Sequence, residues 1–170
     1  MGPLTEQLQL IGLMAAHESA IAELYQRYAA NFPEQRELFS QLAAEEVEHA
    51  RLIAGFADEV RAATVRVNLD RFSSQAILAS FDQVRERLKE AEVSTMSLLA
   101  ALSIGVTIEE TLIEKHCFDT FEDDSPELMR LFATLSADIA AHRDRLQQVW
   151  EEERLTQEAG RQHESGSTED

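Results

Sequence analysis

The sequence predicts an all-α protein, and three observations support that class. Of its 170 residues, 44% are hydrophobic and 28% are charged, whereas glycine and proline number only six and three. Long stretches carry apolar residues at alternating three- and four-residue steps, the spacing of a helix face that packs on other helices. Periodic β-branched runs, which would indicate strands, are missing. The length suits one domain with a sizeable core.

The first two helices are predicted to form a hairpin. The first helix covers residues 4–31 and has one acid, Glu18, among the apolar residues of its packing face. Pro33 interrupts the pattern and can begin the next helix, which is predicted over residues 34–64. Because the connection is short, the two helices are expected to pack antiparallel.

An irregular segment follows the first hairpin. Residues 65–74 lose the helical periodicity and are predicted to cross from one side of a bundle to the other. A shorter helix is then predicted over residues 75–90, with Ser73 or Ser74 as its cap. Its apolar face contains no residue that could bind a metal, so we interpret it as connecting structure.

Two further helices are predicted after this connection. The third long helix begins at Ser94 or Thr95 and ends near residue 121. The fourth begins at Pro126, with Ser125 as its cap, and ends near residue 155. The folded domain therefore covers residues 1–155, and residues 156–170, which are almost entirely polar, are predicted to be a disordered acidic tail.

Charge and cysteine content restrict the function. The formal net charge of −17 argues against binding to nucleic acid or to anionic membranes. No signal segment is recognisable and no apolar run reaches the roughly 18 residues of a membrane span, so a cytoplasmic protein is expected. The single cysteine, Cys117, excludes an internal disulfide and is expected to be a buried, inert thiol.

Polar residues within the apolar helix faces indicate where chemistry takes place. Glu46 and His49 are three residues apart, so both side chains leave the same face of the second helix. Burying a carboxylate and an imidazole is costly unless something pairs them. A metal ion can do so, since Glu-x-x-His segments hold metals in helical bundles. Glu18, Glu109 and His142 interrupt the other long helices in the same way.

The two halves of the chain match in order and register. In the first half the sequence elements are Glu18, Tyr25, Phe32-Pro33 and Glu46-x-x-His49. In the second half they are Glu109, His116, Ser125-Pro126 and Ile139-x-x-His142. The repeat predicts two helix hairpins that form a four-helix bundle with pseudo-twofold symmetry.

On these residues the chain resembles the rubrerythrin-like branch of the ferritin-like superfamily. The resemblance covers about residues 8–152 and includes the Glu46-x-x-His49-Ala50 run and a Leu-Phe-x-x-Leu pattern before each Glu-x-x-His position. It implies a ferritin-like four-helix bundle that binds two iron ions at its centre, with no catalytic residues beyond the metal ligands. The ligands that it implies are Glu18, Glu46, His49, Glu109 and His142.

One position departs from the family pattern. The fourth-helix Glu falls on Ile139, which leaves five ligands where the family has six. Asp138 shares a face with His142 and could substitute, although it is one methylene shorter and about a quarter turn away. His116 and Glu110 are the other spare donors. Without its Glu partner, His142 is open to two interpretations, a metal ligand or a hydrogen-bonded core histidine.

Neighbouring residues are expected to support the ligands. Tyr25 and Tyr28 are predicted to be core residues whose hydroxyls bond to nearby carboxylates. His116 could likewise bond to a ligand carboxylate, or pack near the loop. His17 and Glu45 lie beside ligands in the sequence but are expected to face solvent.

The resemblance implies an oxidoreductase that acts on peroxide or dioxygen or that oxidises ferrous iron. Iron is the expected metal, and manganese or a single ion is an alternative. Rubrerythrins receive electrons through a rubredoxin-like cysteine domain that this sequence lacks, so a separate donor protein is expected. A homodimer is expected as well. The main alternative is a degenerate module with one metal or none, which serves as a structural or interaction protein; a ferritin-type storage cage is a third hypothesis.

Overall fold

The computed structural model describes residues 3–64, 74–93, 96–114 and 125–166. These stretches form five α-helices: α1 (Pro3–Asn31), α2 (Arg36–Arg61), α3 (Ser74–Val93), α4 (Leu98–Glu114) and α5 (Pro126–Gly166). Within them there is no β-strand, so the predicted all-α class is confirmed. The predicted crossover at 65–73, the end of the third long helix near 121, His116 and Cys117 lie outside the described residues.

Helices α1 and α2 form the first hairpin and pack closely against each other. The connection is a single 3₁₀ turn, Pro33–Gln35, with Pro33 at its first position. Phe32 is buried just before this turn, and its backbone N–H still bonds to the carbonyl of Tyr28, 2.9 Å away. The helix after Pro33 therefore begins at Arg36, two residues later than predicted, because the proline first forms the tighter turn.

Helix α2 ends in a left-handed cap. Ala63 has φ of 57°, and the backbone N–H groups of Ala63 and Thr64 bond to the carbonyls of Val60 and Glu59. This pair of bonds satisfies the last carbonyls of the helix, in the arrangement that usually has glycine at the left-handed position. The helix consequently stops at Arg61, short of the predicted residue 64.

Helices α4 and α5 pack against each other as the second pair, and α3 packs mainly on α1. The cap of α4 is Ser97, whose hydroxyl accepts a bond from the N–H of Ala100, and the helix begins at Leu98; Ser94 and Thr95, the predicted starts, lie outside the described residues. A serine hydroxyl can cap a helix by accepting a bond from the backbone N–H three residues later. Ser97 is in that position because it directly precedes the apolar residues with which α4 begins. Ser125 caps α5 as predicted, since its hydroxyl accepts a bond from the N–H of Leu128.

Helix α5 continues to Gly166, beyond the predicted end near residue 155. The predicted tail from residue 156 is thus helical as far as Gly166. The segment is rich in Glu, Gln, Arg and Ala, which have high helix propensity. Pairs four residues apart add to this, as between Arg154 and Glu158 and between Gln157 and Glu153. Low apolar content predicted disorder, but local helix propensity prevailed.

Buried residues from all five helices form one hydrophobic core. Gly105 on α4 lies at a close approach between helices: a Cβ there would be 3.0 Å from Cδ1 of Leu146 on α5 and 3.5 Å from Cε1 of Tyr25 on α1. The missing side chain lets α4 approach both neighbours closely. One turn further along α4, Glu109 faces the same interior.

Candidate metal centre

Five ionisable side chains meet inside the core, from four different helices. Glu18 lies on α1, Glu46 and His49 on α2, Glu109 on α4 and His142 on α5, and none is more than 3% exposed. These are the five residues that the repeat and the family resemblance single out. Isolated charges at this depth are strongly disfavoured, so they need one another or a cation.

The side chains form two groups that share Glu46. The Glu18 group consists of Glu18, Glu46 and His49, and the Glu109 group consists of Glu46, Glu109 and His142. In each group, ligand-type atoms lie within 4.8 Å of one another, close enough to hold a metal ion. Glu46 offers one oxygen to each group: Oε2 lies 2.9 Å from Nδ1 of His49, and Oε1 lies 2.6 Å from Nδ1 of His142.

Several of these buried atoms have no hydrogen-bond partner within the described part of the chain. They are Oε2 of Glu18, Oε1 of Glu46, Oε2 of Glu109 and both ring nitrogens of His142. Buried polar atoms are almost always satisfied in folded proteins, so such a cluster needs an explanation. Two of them, Oε1 of Glu46 and Nδ1 of His142, are only 2.6 Å apart in a contact that is not aligned as a hydrogen bond. A bound cation fits this arrangement, because carboxylate oxygens and imidazole nitrogens are its usual ligands.

The imidazoles of His49 and His142 are stacked, with ring centroids 5.4 Å apart and planes inclined by 16°. Each turns Nδ1 towards Glu46 and Nε2 towards a carboxylate on the opposite helix. Nε2 of His49 is 3.2 Å from Oδ2 of Asp138, and Nε2 of His142 is 2.8 Å from Oε2 of Glu45. Carboxylates in this position fix the ring orientation of metal-binding histidines.

These outer contacts revise two expectations. Asp138, considered as a substitute ligand, belongs to neither metal-type group and instead contacts the far nitrogen of His49. Glu45, expected to be solvated, contacts His142 and forms an ion pair with Arg145 on α5. Each of the two residues comes one position before Glu46 or its counterpart Ile139, so the repeat places them symmetrically. The matching position was the signal in the sequence that could have revealed them.

The two predicted tyrosines differ in what their hydroxyls do. Tyr25 donates a hydrogen bond to Oε1 of Glu109, 2.6 Å away, as expected. The hydroxyl of Tyr28 is buried without a partner among the described residues, so the prediction that it bonds to a carboxylate was wrong. Its ring packs instead against Phe39 and Phe32, with centroids 5.3 and 6.2 Å away. It lies nearly one turn beyond Tyr25 and so faces the apolar end of the core.

His17 was expected at the surface but is only 2% exposed. Its Nδ1 lies 3.5 Å from Oε1 of Glu18, and its Nε2 is 3.0 Å from the hydroxyl of Ser80 on α3. Helix α3 covers this side of α1 and buries the residue. The periodicity of α1 alone could not show it, because the contact comes from a helix about 60 residues away in the chain.

Neither Glu110 nor Asp138 supplies the sixth ligand that the family pattern has and this chain lacks. Glu110 is exposed on the outer face of α4, and Asp138 acts on His49 as described above. His116 lies outside the described residues. Ile139 is buried, with 2% exposure, at the position equivalent to Glu46. On α2 the Glu18 group and the Glu109 group share the carboxylate of Glu46. At the equivalent position of α5 the side chain is the apolar Ile139, which offers no ligand.

The packing shifts the pKa values of the buried groups. Burial raises the pKa of Glu18 to about 7; the contact with His17 opposes this rise, and the negative charge of Glu46 adds to it. For His49, burial disfavours the charged ring, but the contacts with Glu46 and Asp138 and the charge of Glu18 together outweigh burial and raise the pKa to about 9. For His142, burial is likewise outweighed by Glu109 and Glu46, and the pKa rises to about 10. These raised pKa values favour the protonated forms of Glu18, His49 and His142.

Fold and site together define an all-helical protein with buried carboxylate–histidine groups that could hold metal ions. Comparison with protein-family models, with curated proteins and with solved structures finds no match. None of the helices in the described ranges combines the length and apolar character needed to cross a membrane.

Proposed function

We propose that this chain is a ferritin-like protein that binds two transition-metal ions, with Glu46 as the ligand shared between them. The observation that carries the proposal is the division of the Glu46 carboxylate, which turns one oxygen towards His49 and the other towards His142. A carboxylate that serves only as the salt-bridge partner of one histidine has no need of a second imidazole in close contact with its other oxygen. Glu18 and Glu109 would each supply one further oxygen to a single ion.

Iron or manganese suits this set of donors, since carboxylates and imidazoles bind both. A pair of such ions supplies oxidation and reduction chemistry towards peroxide or dioxygen, or towards ferrous iron as a substrate. The protein residues hold the ligands in place: Tyr25 donates to Glu109, while Asp138 and Glu45 contact the far nitrogens of the histidines. Complete burial keeps bulk water from the site. A homodimer and a separate electron donor remain predictions.

Ile139 favours a second candidate function. Because it offers no donor atom, only three carboxylates are available, and their total charge of about −3 does not balance two divalent ions. A site with one metal, or with none, would leave the chain as a structural or interaction module. If two ions do bind, water or a small ligand would have to occupy the coordination positions that the five protein ligands leave open.

Metal content distinguishes the two candidates. The protein would be loaded anaerobically with Fe²⁺, passed through a desalting column and analysed for iron. We expect about two ions per chain, and less than one in Glu46→Ala, because Glu46 belongs to both groups. Glu48→Ala is the matched control: Glu48 is on the same helix, but it is exposed and paired with Arg51, so the control should keep two ions.

A metal content other than two ions per chain would support a different function. One ion per chain would support the mononuclear alternative and exclude the shared carboxylate. No bound ion, with Glu46→Ala folding as well as the parent, would leave the structural or interaction role. If two ions are found, consumption of peroxide and of dioxygen by the iron-loaded protein becomes the assay for the proposed reaction class.

A further inference from the structure

We propose that the two metal-binding groups are unequal, and that the Glu109 group binds a divalent ion before the Glu18 group does. Tyr25, Glu45 and Arg145 act as positioning residues that set this order. The inference rests on the proposed function and adds to it the sequence of binding and the residues that determine it. Two differences between the groups support it, and the shared ligand explains why the two binding steps are separate.

The first difference is in how the outer carboxylates are held. Oε1 of Glu109 accepts a 2.6 Å hydrogen bond from the hydroxyl of Tyr25, which leaves Oε2 free for a cation. Oε1 of Glu18 has the ring of His17 beside it at 3.5 Å, the limit of a hydrogen bond. Glu109 is therefore fixed in orientation before any ion arrives. A preorganised ligand loses less conformational entropy on binding, which favours the Glu109 group.

The second difference is in what supports the histidines. Glu45, which contacts Nε2 of His142, is itself held by Arg145, whose two terminal nitrogens reach both of its carboxylate oxygens. Asp138, which forms a hydrogen bond with Nε2 of His49, is about as exposed as Glu45, at 47% and 44% of their side chains. No lysine or arginine in the described ranges forms an ion pair with Asp138. The difference therefore lies in Arg145: the support of His142 continues through Glu45 to a guanidinium, whereas that of His49 ends at Asp138.

The shared ligand separates the two binding steps, although by itself it favours neither group. Once an ion occupies the Glu109 group, its positive charge acts on Glu46, which must also serve the second ion. Like charges held close together at low dielectric repel strongly, so the second ion binds more weakly. Without a carboxylate at position 139, the protein supplies nothing further to offset this repulsion.

Titration with Co²⁺ tests the order, with calorimetry for affinity and visible absorption for coordination. The metal-free parent should show two steps whose Kd values differ by at least about tenfold, the effect typical of partners outside the coordination sphere. Glu18→Gln should keep the tight step and lose the weak one. Glu109→Gln should lose the tight step and keep a weak one. The two substitutions are isosteric and each affects only one group.

A second pair of variants tests the positioning residues, at partly exposed sites where folding is easily retained. Glu45→Ala should weaken the first step by about 10- to 100-fold and change the absorption of the first Co²⁺ equivalent. Asp138→Ala should leave the first step and its spectrum unchanged and weaken the second. A general loss of stability would not produce this selectivity. Helix content by circular dichroism would be recorded for each variant.

Two results would overturn the order of binding while leaving the proposed function in place. One is a single step in which both ions bind with equal affinity. The other is the reversed pattern, in which Asp138→Ala or Glu18→Gln removes the tight step. Failure of the parent to bind Co²⁺ at all would overturn the proposed function together with this inference.

Discussion

Oε1 of Glu46 on α2 lies 2.6 Å from Nδ1 of His142 on α5, and neither atom makes an aligned hydrogen bond within the described ranges. The other oxygen of the same carboxylate lies 2.9 Å from Nδ1 of His49. One buried carboxylate is thus placed between two stacked imidazoles. An oxygen and a nitrogen this close need a hydrogen atom or a metal ion between them, because otherwise their lone pairs repel.

The metal-free protein should lose stability as the pH rises. The carboxyl of Glu18, with its pKa raised from 4.5 to about 7, keeps its proton in the folded state after the unfolded chain has lost it. The folded state then binds more protons, so the free energy of unfolding falls between pH 4.5 and 7, by about 3 kcal/mol from this group alone. The raised pKa values of His49 and His142 continue the fall from pH 6.5 towards 9 and 10.

Urea unfolding of the metal-free protein at pH 5, 6, 7 and 8 measures this effect. Glu18→Gln, which removes the titrating carboxyl, should flatten the profile between pH 5 and 7. A free energy of unfolding that increases steadily from pH 5 to 8 would show that these groups do not hold protons in the folded state. Excess chelator in every sample keeps metal ions from masking the result.

Removing the hydroxyl of Tyr25 should destabilise the protein. Tyr25→Phe leaves Oε1 of Glu109 buried without its 2.6 Å donor, which costs about 1–3 kcal/mol. Tyr28→Phe is the matched control, since the hydroxyl of Tyr28 has no partner among the described residues. We expect that control to be neutral or slightly stabilising. Chemical unfolding of both variants checks the difference, and equal effects would contradict the role assigned to Tyr25.

Ala63→Gly should stabilise the fold. Ala63 adopts φ of 57° at the end of α2, a conformation that glycine reaches without a Cβ penalty. We expect a gain of about 0.5–1 kcal/mol in the free energy of unfolding. Ala62→Gly is the control: Ala62 has φ of −74°, so the same change there should be destabilising. A loss of stability in Ala63→Gly would indicate that the left-handed cap is not formed.

Periodicity in the sequence was sufficient to identify the residues that meet at the centre. Glu18, Glu46, His49, Glu109 and His142 each interrupt an apolar face, and the internal repeat indicates that they occupy equivalent depths. Helix periodicity records which face of a helix is buried, so residues on that face could be predicted without a structure.

Contacts between distant elements could not be predicted in the same way. His17 is buried because α3 covers it, and Glu45 is fixed by Arg145, one hundred residues away in the chain. Neither contact leaves a periodic signal on its own helix. The length of α5 was missed for a different reason, since its final segment is stabilised by local side-chain pairs and not by an apolar face.

The most direct test of the shared Glu46 carboxylate is electron paramagnetic resonance of the protein loaded with two equivalents of Mn²⁺. Two ions joined by one carboxylate are magnetically coupled, so we predict a broadened spectrum of a coupled pair at two ions per chain. Glu46→Gln should remove that coupling. A spectrum of isolated Mn²⁺ ions in the parent at full loading, or saturation at one ion per chain, would contradict the account.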